Sequence, residues 1–155
     1  MDFLQRTVSG ALGGAGGTLA LTGFREALTA SGLVSVTAPQ QVIARLEELG
    51  LLDGTSPETR CALTVVAHLA YGAGIGAALG FLRRKRGGVA EEIAVGAALG
   101  LLAWGANWSV LLPSTGVHRP PWKERTPKVL LPILDHAVYG ATWGVLNRAL
   151  RSDPV

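Results

Sequence analysis

The residues best able to do chemistry in this chain are two histidines set in the same frame. "HLAYGAGIG" at 68–76 and "HAVYGATWG" at 136–144 both read H-x-x-Y-G-A-x-x-G. The two copies use both tyrosines of the protein and two of its three histidines. On a helix, positions i, i+3, i+4 and i+8 share a face. His68, Tyr71, Gly72 and Gly76 therefore form one stripe, and His136, Tyr139, Gly140 and Gly144 form its counterpart. Histidine changes charge near neutral pH, so a proton- or ion-responsive site is one expectation. The other is a hydrogen-bonded network that fixes helix register, with Asp135 paired to Arg25 or to a histidine. Two cofactor schemes are chemically open: a haem clamped by the imidazoles of His68 and His136, or a zinc ion held by both with a carboxylate. Neither has dense ligand spacing, and no cofactor is expected. No serine, threonine or cysteine stands in a recognisable frame with these histidines, which argues against nucleophilic catalysis and favours a non-enzyme. The glycine run "GALGGAGG" lacks the Lys-Ser/Thr ending of a phosphate loop and follows no strand.

The elements that must position these residues are apolar helices. Of 155 residues, 48% are hydrophobic and only 16% charged, with 21 glycines. A soluble domain carries about a quarter charged residues, so the composition suits a membrane bundle, where small residues let backbones approach closely. A spanning helix needs ~20 apolar residues. By that ruler four spans are expected, at about 7–28, 61–82, 90–112 and 129–150, within a single integral membrane domain covering 1–155. The fold class is all-α, and the partner implied is the lipid bilayer. The opening "MDFLQRTVSG" lacks the cationic start of a secretory signal, and the first span is expected to be retained. A single cysteine, Cys61, forbids a disulfide within one chain.

Between the first two spans, "TAPQQVIARLEELGLLDG" reads as a short amphipathic helix, with Val42, Ile43, Leu46 and Leu49 on one face and Gly50 as its stop. Ser56 and Pro57 then restart the chain as N-cap and first turn. "RRKR" at 83–86 joins spans two and three, and so short a cationic loop is a positive-inside signal rather than a nucleic-acid patch. Both termini are thereby placed in the cytoplasm of a bacterial inner-membrane protein. The Pro-rich "PSTGVHRPPWKERTPK", too rich in proline for regular structure, falls outside along the interface. Trp104, Trp108 and Trp122 fit an outer aromatic belt, while Trp143 is expected within the bundle.

Sliding the chain by 68 residues aligns 60–83 with 128–151 without a gap. Each histidine then lies eight residues after a cation, Arg60 or Lys128, about 12 Å deep at 1.5 Å per residue. Spans two and four run the same way, so the bundle reads as two tandem, related helix hairpins. Gly72, Gly76 and Gly80 form a G-x-x-x-G ladder for helix packing, matched by Gly140 and Gly144. These stripes also admit a homo-oligomer or a membrane-complex partner. His68, Asp135 and His136 share one depth with Arg25, Glu26 and Asn107, and all four helices are expected to feed one outer-side polar cluster.

The span "VVAHLAYGAGIG", the following "GALGLLAW", the loop "LLPSTGVHRPPWKE" and then "LDHAVYG" resemble the YagU-like family of bacterial inner-membrane proteins. The likeness covers most of 60–150. It implies a similar order of spans and outer segments, with His68, Pro120, Pro121, Trp122, Glu124 and His136 at family-like positions and Arg25 with Glu26 matching loosely; Arg119 belongs to the same outer loop. That family is largely uncharacterised, so the resemblance implies a membrane setting and no reaction.

Overall fold

The computed structural model describes residues 2–32, 38–123 and 126–151, and every regular element among them is helical. Helix α1 spans Phe3–Ala30, α2 Ala38–Glu48 and α3 Pro57–Leu82. Helix α4 spans Val89–Ala106 and runs on through a π-helical turn, Asn107–Leu111, into Leu112–Ser114. A 3-10 turn at Pro121–Lys123 precedes α5, Thr126–Leu150. The helices start where local chemistry satisfies their free N–H groups. Asp2 accepts from the Gln5 N–H at 2.7 Å in a capping box, and Ser56 accepts from Thr59 N–H at 3.2 Å ahead of Pro57. Gly50 follows α2 at φ +71°, a conformation that glycine adopts without a Cβ clash. The Pro-rich loop is more regular than its prolines suggest, because Pro121 suits the start of a helical turn.

Helix α1 packs between α3 and α5, α4 packs on α5, and α2 lies against α3. The two closest contacts are backbone against backbone. A Cβ added at Gly76 would stand 2.6 Å from Gly14 Cα, and one at Gly10 would stand 2.8 Å from Gly80 Cα. Across α4 and α5, a Cβ at Gly100 would come within 3.0 Å of Gly140 Cα, and Gly96 and Gly144 meet similarly. Only glycine permits this approach, so the residue type at these positions sets the interhelical distance. Helix α1 carries a second glycine stripe, Gly13 and Gly17, turned toward Trp143 and Tyr139 of α5. The run "GALGGAGG" is thus a two-sided packing surface.

The distribution of polarity is the reverse of a soluble core. Among the described residues, the buried side chains include four large apolar or aromatic ones, Leu21, Trp108, Tyr139 and Trp143, but seven polar or charged ones. Large aliphatic side chains such as Leu12, Leu19, Val66, Leu102, Val110 and Leu134 point outward. Helices α3 and Val89–Ser114 are each long and apolar enough to cross a membrane. Helices α1 and α5 are of similar length, with their polar side chains Ser9, Thr18, Arg25, Asp135 and Asn147 turned inward.

Replacing Gly76 by leucine forces α1 and α3 apart. It is expected to destabilise the protein by ~3 kcal/mol or more, measured by thermal unfolding in detergent. Gly74, whose added Cβ meets nothing within 4 Å, should accept alanine with a change below ~1 kcal/mol. Equal losses at both positions would contradict the seam.

Candidate functional site

The centre of the bundle is built by side chains of α5 that reach across to the α1–α3 pair. Tyr139 Oη donates to the Gly72 carbonyl at 2.7 Å, and Trp143 Nε1 is shared between the carbonyls of Gly10 and Gly76, each at 3.2 Å. Trp143 is 0% exposed. Glycine makes these bonds accessible, because no side chain shields the acceptor carbonyls on either helix. One turn toward the end of the bundle holding the α1 C-terminus, Arg25 of α1 pairs with Asp135 Oδ2 of α5, both buried. Asp135 Oδ1 has no partner among the described residues. At the opposite end Ser9 Oγ donates to Asn147 Oδ1 at 3.1 Å. Polar contacts therefore fasten α1 to α5 at both ends and through the middle.

Beside the Arg25–Asp135 pair lies a cavity of about 520 Å³. Its polar lining includes Thr18, His68, Tyr71, Asn107, His136 and Tyr139. Its apolar lining includes Val42, Ile43 and Leu46 of α2 together with Leu111, Leu112 and Val117. The amphipathic helix α2 thus turns its apolar face onto the cavity, as a lid would. His136 Nδ1 bonds to the Pro132 carbonyl at 2.7 Å, which identifies Nδ1 as the protonated nitrogen and leaves Nε2 as the acceptor of a neutral ring. His68 makes no hydrogen bond to any described residue. Tyr71 Oη donates to Asn107 Oδ1, and Asn107 Nδ2 donates back to the Ala103 carbonyl at 2.8 Å.

Asn107 opens the π-helical turn of α4. A π-turn inserts one residue into the helical repeat, and such turns are frequent at functional sites. The residue that follows, Trp108, is buried against two imidazoles, with ring centroids 4.7 Å from His118 and 5.8 Å from His136. An outer-belt position for Trp108 is therefore corrected: the tryptophan is a wall of the cavity. Sequence spacing missed this aromatic trio, since His118 lies in a Pro-rich loop and a π-turn leaves no periodic signature. Asn107 alone, a polar side chain in an apolar run, marked the place.

The two H-x-x-Y-G copies are used differently. Gly72, Gly76 and Gly80 face α1, while Gly140 and Gly144 face α4, so the glycines play parallel parts. The tyrosines diverge: Tyr139 is 5% exposed and bonded to Gly72, whereas Tyr71 is 44% exposed and turned to Asn107. His68, His136, Arg25, Tyr71, Tyr139 and Asn107 all line the cavity. Glu26 does not: it lies on the exposed side of α1, because the neighbour of an inward Arg25 must point about 100° away around the helix. In the Pro-rich loop Arg119 and Trp122 are exposed, Pro120 and Pro121 are partly buried, and Glu124 lies outside the described residues. A zinc site at His68 and His136 would need a carboxylate, and Asp135 is committed to Arg25; no group of three or more His, Cys, Asp or Glu converges among the described residues. A two-histidine haem clamp would have only Nε2 of His136 available, since Nδ1 is bonded to Pro132.

A second polar cluster closes the end of the bundle near the "RRKR" loop. Glu92, 1% exposed, accepts from Arg83 at 3.0 Å and from the Gly87 N–H at 2.6 Å. The hydrogen bond to Glu92 raises the Arg83 pKa and keeps its guanidinium charged. Arg151 donates to the carbonyls of Arg83, Arg84 and Lys85, and Arg148 donates to that of Gly87 at 3.0 Å. The last turn of α5 therefore caps the end of α3 and pins the loop.

Comparison with protein-family models, curated proteins and solved structures found no match. The site is therefore interpreted from its geometry. Asp135→Asn leaves the Arg25 guanidinium buried without its counter-charge. It should cost ~3–5 kcal/mol of stability, read by thermal unfolding in detergent. The Arg25→Leu, Asp135→Leu double variant should recover most of that loss, and a double variant no better than Asp135→Asn would refute the pairing as the source.

Proposed function

We propose that this protein is a multi-pass bacterial inner-membrane protein of four spanning helices that holds a small lipophilic molecule in its outer-side cavity. The observation that carries the binding role is the cavity itself. Small-molecule sites are mostly apolar concavities of ~300–1,000 Å³ with a few convergent polar groups, and about 520 Å³ lined by apolar side chains around two imidazoles meets that description. Ion response is the weaker reading, since Arg25 neutralises Asp135 and no carboxylate among the described residues is left lining the cavity for a cation.

The membrane setting is supported by the outward aliphatic side chains, the inward polar ones and the two helices long and apolar enough to span. Helices α1 and α5 complete a bundle of four spans in this reading, with α2 outside as the lid. The parallel use of Gly72, Gly76 and Gly80 against α1 and of Gly140 and Gly144 against α4 supports two tandem, related hairpins. The cations of 83–86 support a cytoplasmic position for that loop and both termini by the positive-inside rule. The resemblance to the YagU-like family belongs to the same proposal and agrees with the membrane setting.

Two measurements test it. Cys61 is exposed at the start of α3. In intact spheroplasts it should react with a membrane-impermeant maleimide, whereas a cysteine at Lys85 in a Cys61→Ser background should react only after permeabilisation. The reverse pattern rejects the orientation. For binding, a naphthylamine dye that brightens in apolar surroundings should show one saturable site per protein in nanodiscs, above the uptake of empty discs. Ala103→Trp, which fills the cavity, should remove that site; absence of saturable binding to the unaltered protein would reject the role.

A further inference from the structure

Resting on that binding role, we infer that the cavity takes an uncharged amphiphile whose head group donates a hydrogen bond to His136 Nε2, a hydroxyl of the phenol, quinol or long-chain alcohol kind. Two inventories of the wall carry this assignment, one of charge and one of hydrogen-bonding capacity.

The charge inventory excludes an ionic head. Arg25 and Arg45 line the cavity, and both already have carboxylate partners: Arg25 with Asp135, and Arg45 with Glu48 at 2.9 Å. Among the described residues, no aspartate or glutamate lines the wall. A carboxylate, phosphate or ammonium head would enter without a free counter-charge, and an unpaired charge away from water is strongly disfavoured.

The hydrogen-bond inventory then gives the polarity of the head. The hydroxyl donors and the Nδ1 donor of the polar wall are already committed within the protein, and the donors left over include those of Arg25 and of Arg45, whose Nε is buried without a partner among the described residues. Thr18 Oγ1 donates to the Gly14 carbonyl at 2.9 Å, Tyr139 to Gly72, Tyr71 to Asn107, and His136 Nδ1 to Pro132. The lone pair of His136 Nε2 is open, because the neutral ring has one donor nitrogen and one acceptor. His68, unbonded to any described residue, can supply either role to the same head group. A hydroxyl head meets both sets of open groups: its hydrogen is donated to the imidazole nitrogen, and its oxygen can accept from an arginine N–H. Trp108 lines the same cavity with its ring nearly perpendicular to that of His136, and offers a ring surface to an aromatic head. The apolar flank of α2, Val42, Ile43 and Leu46, accommodates the hydrocarbon part.

The test is displacement of the naphthylamine dye from the full-length protein in nanodiscs. The competitors are para-hexylphenol, its methyl ether para-hexylanisole, decanol and decanoate. The phenol should displace the dye at about tenfold lower concentration than the ether, the effect of one buried hydrogen bond, and decanoate should be the weakest. Decanol matching the phenol points to a chain alcohol, and the phenol ahead of decanol points to an aromatic head; both support the assignment. His136→Phe keeps a ring in place but removes the acceptor, and should bring phenol and ether within about twofold of each other while the dye still binds. If that variant does not fold, the phenol-to-ether ratio of the unaltered protein decides, with His68→Phe as the second variant. An ether or carboxylate that competes as well as the phenol overturns the inference while leaving the binding role standing. A dye that finds no saturable site overturns both.

Discussion

Backbone contact between glycine stripes is the constraint on which the rest of this structure depends. Where Gly10 and Gly14 meet Gly76 and Gly80, and Gly96 and Gly100 meet Gly140, the chains approach too closely for any Cβ. That proximity does more than pack helices. It exposes the carbonyls of Gly10, Gly72 and Gly76 to side chains from a third helix, and Trp143 and Tyr139 bond to them. In an apolar environment a buried donor without an acceptor is strongly disfavoured, so the indole and phenol groups hold α5 in one register against α1 and α3. The cavity follows from that register: α5 is pinned through its middle, and His136 is brought to the wall that His68 also lines.

The bundle combines a polar interior with an apolar exterior, and most of its buried polar side chains have a counterpart on another element. Arg25 meets Asp135, Ser9 meets Asn147, and Glu92 meets Arg83 and Gly87. Such pairs contribute modestly to stability in membranes, typically ~0.6–2 kcal/mol each, but they discriminate strongly among registers, because a slipped helix would leave both partners unsatisfied. Between the fastened ends, the π-turn of α4 interrupts the regular helix and turns Trp108 inward. Departure from regular geometry and the cavity coincide at one place.

Much of this was legible in the residues. Long apolar runs and abundant glycine specify an all-helical chain, and the segments around 61–82 and 90–112 stand out as able to cross a membrane because their composition is nearly free of charge. The residues marked by scarcity in an apolar setting, His68, Asp135, His136, Arg25 and Asn107, are the ones found at the cavity or at its edge. Glu26 shows the limit of reasoning by depth alone. It shares a level with Arg25, yet one step around the helix turns it outward. The two tyrosines show the limit of reasoning by repeat, since identical frames lead to a buried Tyr139 and a half-exposed Tyr71.

What this chain's sequence determined by itself is the set of elements and the faces they present, because helix periodicity and glycine placement are local properties. What only the tertiary structure decided is which faces meet. The pairing of Arg25 with Asp135, the second stripe of α1 at Gly13 and Gly17, and the inward turn of Trp108 each depend on where a distant helix lies. So does the cavity, which no single helix encloses: it exists because α2 folds its apolar face back over a gap between α3, α4 and α5. A void is a property of the arrangement of surfaces, and no residue carries its signature alone.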